Sequence, residues 1–259
     1  MLSCAARRMD TQPRWNGDPL TPLSPGTIAG QATFSGCIAK LAIAVDALAS
    51  RIPPGAVLAA NDGHQHACLI AFGEQAEGMT FFGGWPMPWG IRYHELLVGI
   101  PLQACGPLRG PQLFVAGMTC DFWPAVWNGN FYYGFRKRFA PMTWGDSQFA
   151  VMDDDGAPAF LADVAGRRDG GDDLLAWVQG IVALPVLGKR DDGVLVQSRF
   201  DWDFTAATID GGALTLDVRP GFDELPASAS GSRRRLDAAI RVDRMRWSLS
   251  WPTPTDRRA

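Results

Sequence analysis

A lysine between two arginines, set inside an aromatic segment, has the clearest potential for chemistry in this sequence. The segment runs from Tyr133 to Pro141 and reads YGFRKRFAP, so that Lys137 stands between Arg136 and Arg138. If Lys137 is buried, desolvation lowers its pKa, and a neighbouring arginine that stays protonated acts in the same direction. A neutral amine can attack a carbonyl carbon and form a Schiff base. A solvated cluster of three charges fits the same residues, and the pattern alone does not choose between the two.

A second candidate is the segment YHELLVGIP at residues 93–101, whose alternation is typical of a β-strand. This alternation puts Tyr93 and Glu95 on one face, and His94 with several apolar residues on the other. A phenol and a carboxylate on one face are what the wall of a polar-lined pocket requires. A strand whose Glu95 points at solvent is the alternative that the pattern leaves open.

Other potential ligands in the sequence lead to no predicted site. His64 and His66 could form a metal pair on a strand face, but no acidic pair stands at ligand spacing, so a polar turn is our interpretation. The aspartates at 153–155 lack EF-hand spacing and are interpreted as a solvated turn. We therefore predict no metal site.

The elements that must position Lys137 and Glu95 are mostly strands. Apolar runs broken by Gly, Pro and Asn predict strands at 68–72, 79–82, 93–102, 113–118, 149–152, 158–162, 194–209, 213–218 and 244–251. Turns are predicted at 153–156 and 210–212, and short helices at 45–52, 122–130 and 173–180. Short turns between successive strands favour an antiparallel sheet, and this many strands suggest a sheet that closes into a barrel.

Composition and charge argue against several classes of function. The chain has 259 residues and a net charge of -3, which gives no electrostatic reason to expect nucleic acid or an anionic membrane as a partner. No apolar run is long enough to span a bilayer, and the first residues lack the apolar region of a signal peptide. The five cysteines lack CxxC spacing and are interpreted as reduced thiols. We expect a cytoplasmic protein with a small-molecule partner, built as an extended arm at 1–30 and a single domain at 31–259.

The order and spacing of three motifs resemble acetoacetate decarboxylase and its wider superfamily. Residues 93–95 (YHE) match the family's Tyr-x-Glu strand motif. Residues 124–129 (PAVWNG) match part of its Glu-Pro-Ala-x-x-x-Gly-Arg-Glu segment, and residues 134–137 (GFRK) match its Gly-Phe-Pro-Lys-Lys segment. The predicted helix at 45–52 resembles a further family segment, so the likeness begins near residue 37.

The resemblance implies a fold, a chemistry and a set of site residues. It implies a mostly β (α+β) protein, an antiparallel cone-shaped β-barrel with a few short helices, which assembles into homo-oligomers. It implies that Lys137 is the Schiff-base lysine, that Glu95 is the acidic residue of the cavity, and that no external cofactor is needed. The other residues predicted to contact the substrate or to shape its pocket are Tyr93, Arg138, Asn130, Phe131, Trp127 and Tyr133.

The chain also departs from the family pattern. Arg138 replaces the second lysine, Arg136 replaces the proline before the reactive lysine, and the Gly-Arg-Glu triplet is Gly-Asn-Phe at 129–131. The region 32–37 carries no arginine where the decarboxylase has one near its substrate. These changes disfavour acetoacetate as the substrate more than they disfavour imine chemistry, and Arg136 receives no role.

We therefore predict a lyase that acts on a keto acid or related carbonyl compound through a lysine Schiff base, by decarboxylation or by aldol- or dehydration-type chemistry. A non-catalytic small-molecule-binding protein on the same barrel is one alternative, and a cyclase- or hydrolase-type activity is another. The position of Lys137 separates the first two: a buried lysine facing the same cavity as Glu95 supports catalysis, whereas a solvent-facing lysine supports binding or no site.

Overall fold

A computed structural model describes residues 28–58, 64–81, 85–86, 91–106, 108–145, 147–167, 172–226 and 233–255. The strands are β1 (Ile28–Ala44), β2 (Ala56–Leu58), β3 (Gln65–Phe81), β4 (Trp85–Pro86), β5 (Tyr93–Cys105), β6 (Gln112–Cys120), β7 (Lys137–Phe139), β8 (Met142–Trp144), β9 (Gln148–Met152), β10 (Pro158–Arg167), β11 (Pro185–Lys189), β12 (Leu195–Asp203), β13 (Thr208–Val218), β14 (Arg233–Ser250) and β15 (Thr253–Pro254). The helices are α1 (Val45–Leu48), α2 (Trp123–Asn128) and α3 (Asp172–Val182), and a π-helical turn (Gly129–Tyr133) follows α2. The predicted arm at 1–30 lies almost entirely outside the described residues.

Seven strands close into a barrel. Their order is β12-β11-β6-β5-β3-β1-β14, and the pairing of β12 with β14 closes the ring. Most neighbours are antiparallel, as predicted, but β11 lies parallel to β6. The predicted β-barrel fold is confirmed.

The longest strand, β14, belongs to two layers at once. Its C-terminal part pairs with β12 in the barrel, and its N-terminal part pairs with β13. From β13 the sheet continues through β10 and β9 to β8. Phe149 and Phe160 of this extension share one buried cluster with Phe72 and Leu96 of the barrel strands. The extension therefore covers one outer side of the barrel.

A separate apolar cluster fills the barrel interior. Strand alternation decides which side chains enter it: Leu97 of β5 belongs to the interior cluster, whereas Leu96 belongs to the outer one. Helix α3 contributes Leu174 and Val178 to the interior cluster. Because Glu95 has the same parity as Leu97, its side chain is directed into the barrel.

The sequence predicted one tight turn correctly and one wrongly. The turn at 153–156 joins the antiparallel pair β9 and β10. The turn at 210–212 does not exist, because β13 runs through it, with Gly211 opposite Ile240 and Gly212 opposite Ala239. The chain instead breaks between β12 and β13, and both of these strands pair with β14. His66 likewise lies in β3 and not in a polar turn, and its Nε2 is 2.9 Å from the carbonyl oxygen of Pro101.

The three predicted helices correspond to α1, α2 and α3, although α1 is only four residues long. Within the described ranges, no helix is both long enough and apolar enough to cross a membrane.

Candidate active site in the barrel

Lys137 and Glu95 form a buried ion pair inside the barrel. The Nζ atom of Lys137 lies 3.0 Å from Oε2 of Glu95, and each side chain is only 9% exposed. Strand β7 runs parallel to β6 with Lys137 opposite Met118, a residue of the interior cluster. The two strands β5 and β7 thus bring together two residues that are 42 positions apart in the sequence.

The segment before β7 is shaped to deliver Lys137. Pro124 lies in the first turn of α2, where a missing N–H is tolerated, and the π-helical turn ends at Gly134 with φ of 62°. A Cβ at Gly129 would lie 2.6 Å from both Cδ and Cε of Lys137, so the lysine side chain passes directly over this glycine. Asn130 holds the lysine backbone: its Nδ2 donates to the carbonyl oxygen of Lys137 at 2.8 Å, and its Oδ1 accepts from the Lys137 N–H.

A cavity opens at this ion pair. Its volume is about 60 Å³, which is room for several water molecules. Most of its wall is apolar, with aromatic and aliphatic side chains from β1, β3, β5, β12 and β14. The polar or ionisable side chains in the wall are Gln75, Tyr93, Glu95, Asn128, Tyr133, Lys137, Trp202 and Trp247.

Tyr93 is a buried phenol beside the carboxylate. Burial raises the pKa of the Tyr93 hydroxyl well above its usual value, and the nearby Glu95 carboxylate, with a hydrogen bond from the hydroxyl, raises it further. The Tyr93 ring stacks on Phe122 with ring centroids 5.4 Å apart. The hydroxyl therefore stays protonated at neutral pH and acts as a hydrogen-bond donor.

Arg138 does not line the cavity. Adjacent residues of a strand face opposite sides, so Arg138 points into the layer between barrel and outer sheet. There it forms two hydrogen bonds to the buried carboxylate of Glu224, at 3.0 and 3.3 Å, and its guanidinium lies 5.5 Å from the Phe222 ring centroid. Thr119 donates a further hydrogen bond to Glu224. The structure thus pairs Arg138 with Glu224 and not with a ligand in the cavity.

The structure divides the remaining predicted site residues. Tyr93 and Tyr133 line the cavity together with Lys137 and Glu95. Trp127 and Phe131 are outside its wall and stack on each other, with ring centroids 5.4 Å apart and planes tilted by 10°. Asn130 acts on the Lys137 backbone and does not line the cavity.

Sequence reasoning missed the wall opposite the ion pair. Gln75 lies in β3, Trp202 in β12 and Trp247 in β14, and all three line the cavity. The alternation of Trp247 with arginine and serine in the last strand does mark it as facing the interior. No local signal marks Gln75, because a glutamine in an apolar strand becomes informative only when its neighbours are known.

The structure also gives the conformation of Arg136. Its φ is 52°, in the left-handed region, and its side chain is exposed. A proline fixes φ near -65°, so the proline of the family pattern could not adopt this conformation. Among the described residues, no group of three or more His, Cys, Asp and Glu side chains is arranged to hold a metal ion.

Comparisons with known proteins agree on the fold. No family model and no curated protein matches the sequence. Among solved structures, the enduracididine biosynthesis enzyme MppR, complexed with the condensation product of pyruvate and imidazole 4-carboxaldehyde, superposes with a TM-score of 0.62. The match has 16% identity and covers 98% of this chain and 97% of that chain.

Two further structures carry the superfamily's name. Acetoacetate decarboxylase from Legionella pneumophila has a TM-score of 0.58 and 15% identity, over 92% of this chain and 93% of that chain. An acetoacetate decarboxylase-like enzyme from Sphingomonas wittichii RW1 has a TM-score of 0.62 and 16% identity, over 89% of this chain and 93% of that chain. The motif resemblance is thus matched in three dimensions, and the protein has the acetoacetate decarboxylase-like fold.

Proposed function

We propose that this protein is a lyase that acts on a keto acid or a related carbonyl compound through a Schiff base on Lys137. The observation that carries the proposal is the buried ion pair at the cavity wall, with Nζ of Lys137 3.0 Å from Glu95. Structural ion pairs are usually placed at surfaces, whereas this one faces a cavity lined by apolar side chains. A buried amine beside a proton acceptor is the arrangement that carbonyl attack requires.

The pair can perform each proton transfer of the reaction. Glu95 takes a proton from the ammonium, and the neutral amine attacks the carbonyl carbon of the substrate to give a carbinolamine. Glu95 then returns the proton to the departing hydroxyl, so that water and an iminium form. The iminium accepts the electron pair of the breaking carbon–carbon bond, either with loss of CO₂ or with release of an aldehyde.

The cycle closes by reversal of these steps. The enamine left by bond cleavage takes a proton at carbon, and water hydrolyses the iminium to release the product and regenerate the amine. The water released in the first half is consumed in the second, so the residues of the chain end as they began. The hydroxyl of Tyr93, held in its protonated form, can donate to the substrate oxygen during attack.

One neighbour supports the aldol-type variant of this chemistry. MppR has been observed with the condensation product of pyruvate and an aldehyde, which is a compound made by joining two carbonyl substrates. The same iminium–enamine sequence, run in the synthetic direction, makes such a bond. The non-catalytic alternative, a carrier for an apolar molecule, is disfavoured by the burial of an amine and a carboxylate in the same cavity, because both are costly to bury without a chemical role.

Borohydride trapping tests the proposal. The protein is incubated with a panel of α- and β-keto acids and neutral ketones, reduced, digested and weighed by mass spectrometry. We expect an adduct on the peptide that contains Lys137, and none on those that contain Lys40 or Lys189, the other lysines of the chain.

Matched variants make the test specific. Lys137→Ala should abolish both trapping and turnover, whereas Lys40→Ala, at an exposed lysine, should leave both unchanged. Adducts confined to Lys40 or Lys189, or turnover that survives in Lys137→Ala, would refute the proposal.

A further inference from the structure

The wall opposite the ion pair holds an amide whose orientation is fixed by chemistry. Trp247 Nε1 and Gln75 Oε1 are 2.6 Å apart. An indole N–H can only donate, so the atom facing it must be the oxygen of Gln75. The NH₂ group of Gln75 is therefore the part of the amide that remains for the cavity, and it donates to no described residue.

A second donor lies in the same wall. Nε1 of Trp202 is buried and has no acceptor among the described residues, although the side chain lines the cavity. Buried donors in folded proteins almost always have a partner, and one without it indicates an unfilled site. A ligand with an oxygen acceptor would supply that partner.

The charge of the cavity limits what this acceptor can be. Glu95 and Lys137 are the described lining residues that carry a formal charge at neutral pH, and they neutralise each other. Nearby arginines are engaged elsewhere: Arg138 with Glu224, and Arg92 with Glu74. A carboxylate placed at this wall would be buried without a cation of its own and would face the carboxylate of Glu95.

We infer that Gln75, oriented by Trp247 and assisted by Trp202, selects a substrate whose second polar group is an uncharged oxygen such as a ketone, ester, amide or hydroxyl. This inference rests on the proposed Schiff-base function and narrows its substrate class to neutral carbonyl compounds. Neutral donors satisfy a neutral acceptor fully, whereas they compensate only part of the desolvation of a carboxylate. Gln75 is thereby a specificity-determining residue.

A matched pair of ketones tests the inference. The compounds are 4-oxopentanoate and its methyl ester, which have the same ketone and differ in the charge of the second group. Neither can lose CO₂ through an enamine, so binding is measured without turnover. The readout is the concentration that gives half-maximal borohydride trapping on Lys137. We expect the ester to need a concentration at least about tenfold lower than the acid does, a difference of about 1.4 kcal/mol.

Variants of the wall separate the donors from general packing effects. Gln75→Met keeps the length of the side chain and removes the donor, so the half-saturating concentration of the ester should rise about fivefold to tenfold. Gln75→Arg should reverse the preference in favour of the acid, because it supplies the missing cation. Trp202→Phe should weaken the ester alone. Gln148→Met, at an exposed glutamine of β9, is the control and should change nothing. The melting temperature of each variant reports whether it is folded.

The possible failures are distinguishable. If Lys137 is trapped but the wild type prefers the acid, or if Gln75→Met leaves the ester unaffected, the inference is wrong while the Schiff-base proposal stands. If no compound is trapped, the Schiff-base proposal fails. The wall is then tested by equilibrium binding of the ester to the untreated protein, followed by tryptophan fluorescence. No binding, or the same affinity in Gln75→Met, overturns the inference as well.

Discussion

At the scale of single residues, the Lys137–Glu95 pair holds two opposite charges where water has little access. Each charge loses hydration on burial, and the other charge is its principal compensation. The pair is thus poised between two needs: the ionised form suits the folded protein, and the neutral amine suits carbonyl attack. A proton that moves over 3.0 Å between Nζ and Oε2 connects the two forms.

The coupling of this pair is measurable as stability. We expect Lys137→Met and Glu95→Gln each to lower the free energy of unfolding by about 3 kcal/mol, because each leaves a buried charge without its partner. The double variant should lose much less than the sum of the two, because no charge then remains. Urea unfolding of the wild type and the three variants measures the coupling energy. Additive losses would show that the two side chains are not paired in the native state.

Gly129 is expected to control the position of the reactive amine. In Gly129→Ala the new methyl group would meet Cδ and Cε of Lys137 at 2.6 Å, and the lysine side chain must move. A displacement of about 1 Å in a reacting group can lower a rate about a hundredfold, so trapping on Lys137 should slow by at least tenfold. Gly180→Ala in α3 is the control, because nothing lies within 4 Å of its new methyl group. Equal trapping rates in the two variants would contradict this role for Gly129.

Strand parity explains which site residues the sequence could predict. Glu95 and Tyr93 were placed together by alternation alone, and Lys137 by its position among three motifs. The same alternation, applied to β7, separates Arg138 from Lys137, but a three-residue strand leaves too short a pattern to read. Gln75 could not be predicted, because its role depends on Trp247, which is 172 positions away.

At the scale of elements, β7 is a short strand held from three directions. Its backbone pairs with β6, its inner side is fixed by Asn130, and its outer side by the contact of Arg138 with Glu224. The residue that leads into it, Arg136, has the left-handed conformation that most side chains avoid. The strand thus begins with a sharp change of direction that sets the side on which Lys137 emerges.

Substitutions at Arg136 should reveal this geometry. Arg136→Pro requires φ near -65° where the chain has 52°, so we expect a loss of at least about 2 kcal/mol of stability and slower trapping on Lys137. Arg136→Gly accepts the conformation and should stay within about 1 kcal/mol of the wild type. Thermal unfolding compares the two. A proline variant as stable as the glycine variant would mean that the conformation at this position is not fixed.

The wrongly predicted turn at 210–212 shows where element prediction fails. Asp-Gly-Gly has the chemistry of a hairpin turn, and local rules assign it as one. The strand β14 pairs with Gly211 and Gly212 along its length, and these distant hydrogen bonds override the local preference. The break falls at 204–207 instead, a segment without glycine or proline.

At the scale of the whole molecule, buried thiols make stability depend on alkaline pH. Burial raises the pKa of Cys37, Cys68 and Cys120 from 9.0 to about 12 in each case. Above pH 9 the unfolded chain releases these protons while the folded protein retains them, so the free energy of unfolding falls as the pH rises from 9 towards 12. Below pH 9 the three thiols have no effect on the slope.

We expect each of these thiols to lower the free energy of unfolding by up to about 1.4 kcal/mol for every pH unit above 9. Urea unfolding at pH 8, 9, 10 and 10.5 measures the slope. The slope should become shallower in Cys68→Ala, a variant that cannot release a thiol proton at this position. A profile that is flat between pH 9 and 10.5 would contradict the burial of these side chains. The assembly into homo-oligomers stays a prediction from the resemblance.

The pairing of the first barrel strand with β14 has a consequence for synthesis. The cavity wall extends from Ala29 to Leu249, so its parts are present together only when nearly the whole chain has left the ribosome. Until then Lys137 is an ordinary side chain of an open sheet, without the enclosure that would make it selective. The reactive amine is therefore acquired at the last step of folding, and a chain truncated before β14 would carry the lysine without the site.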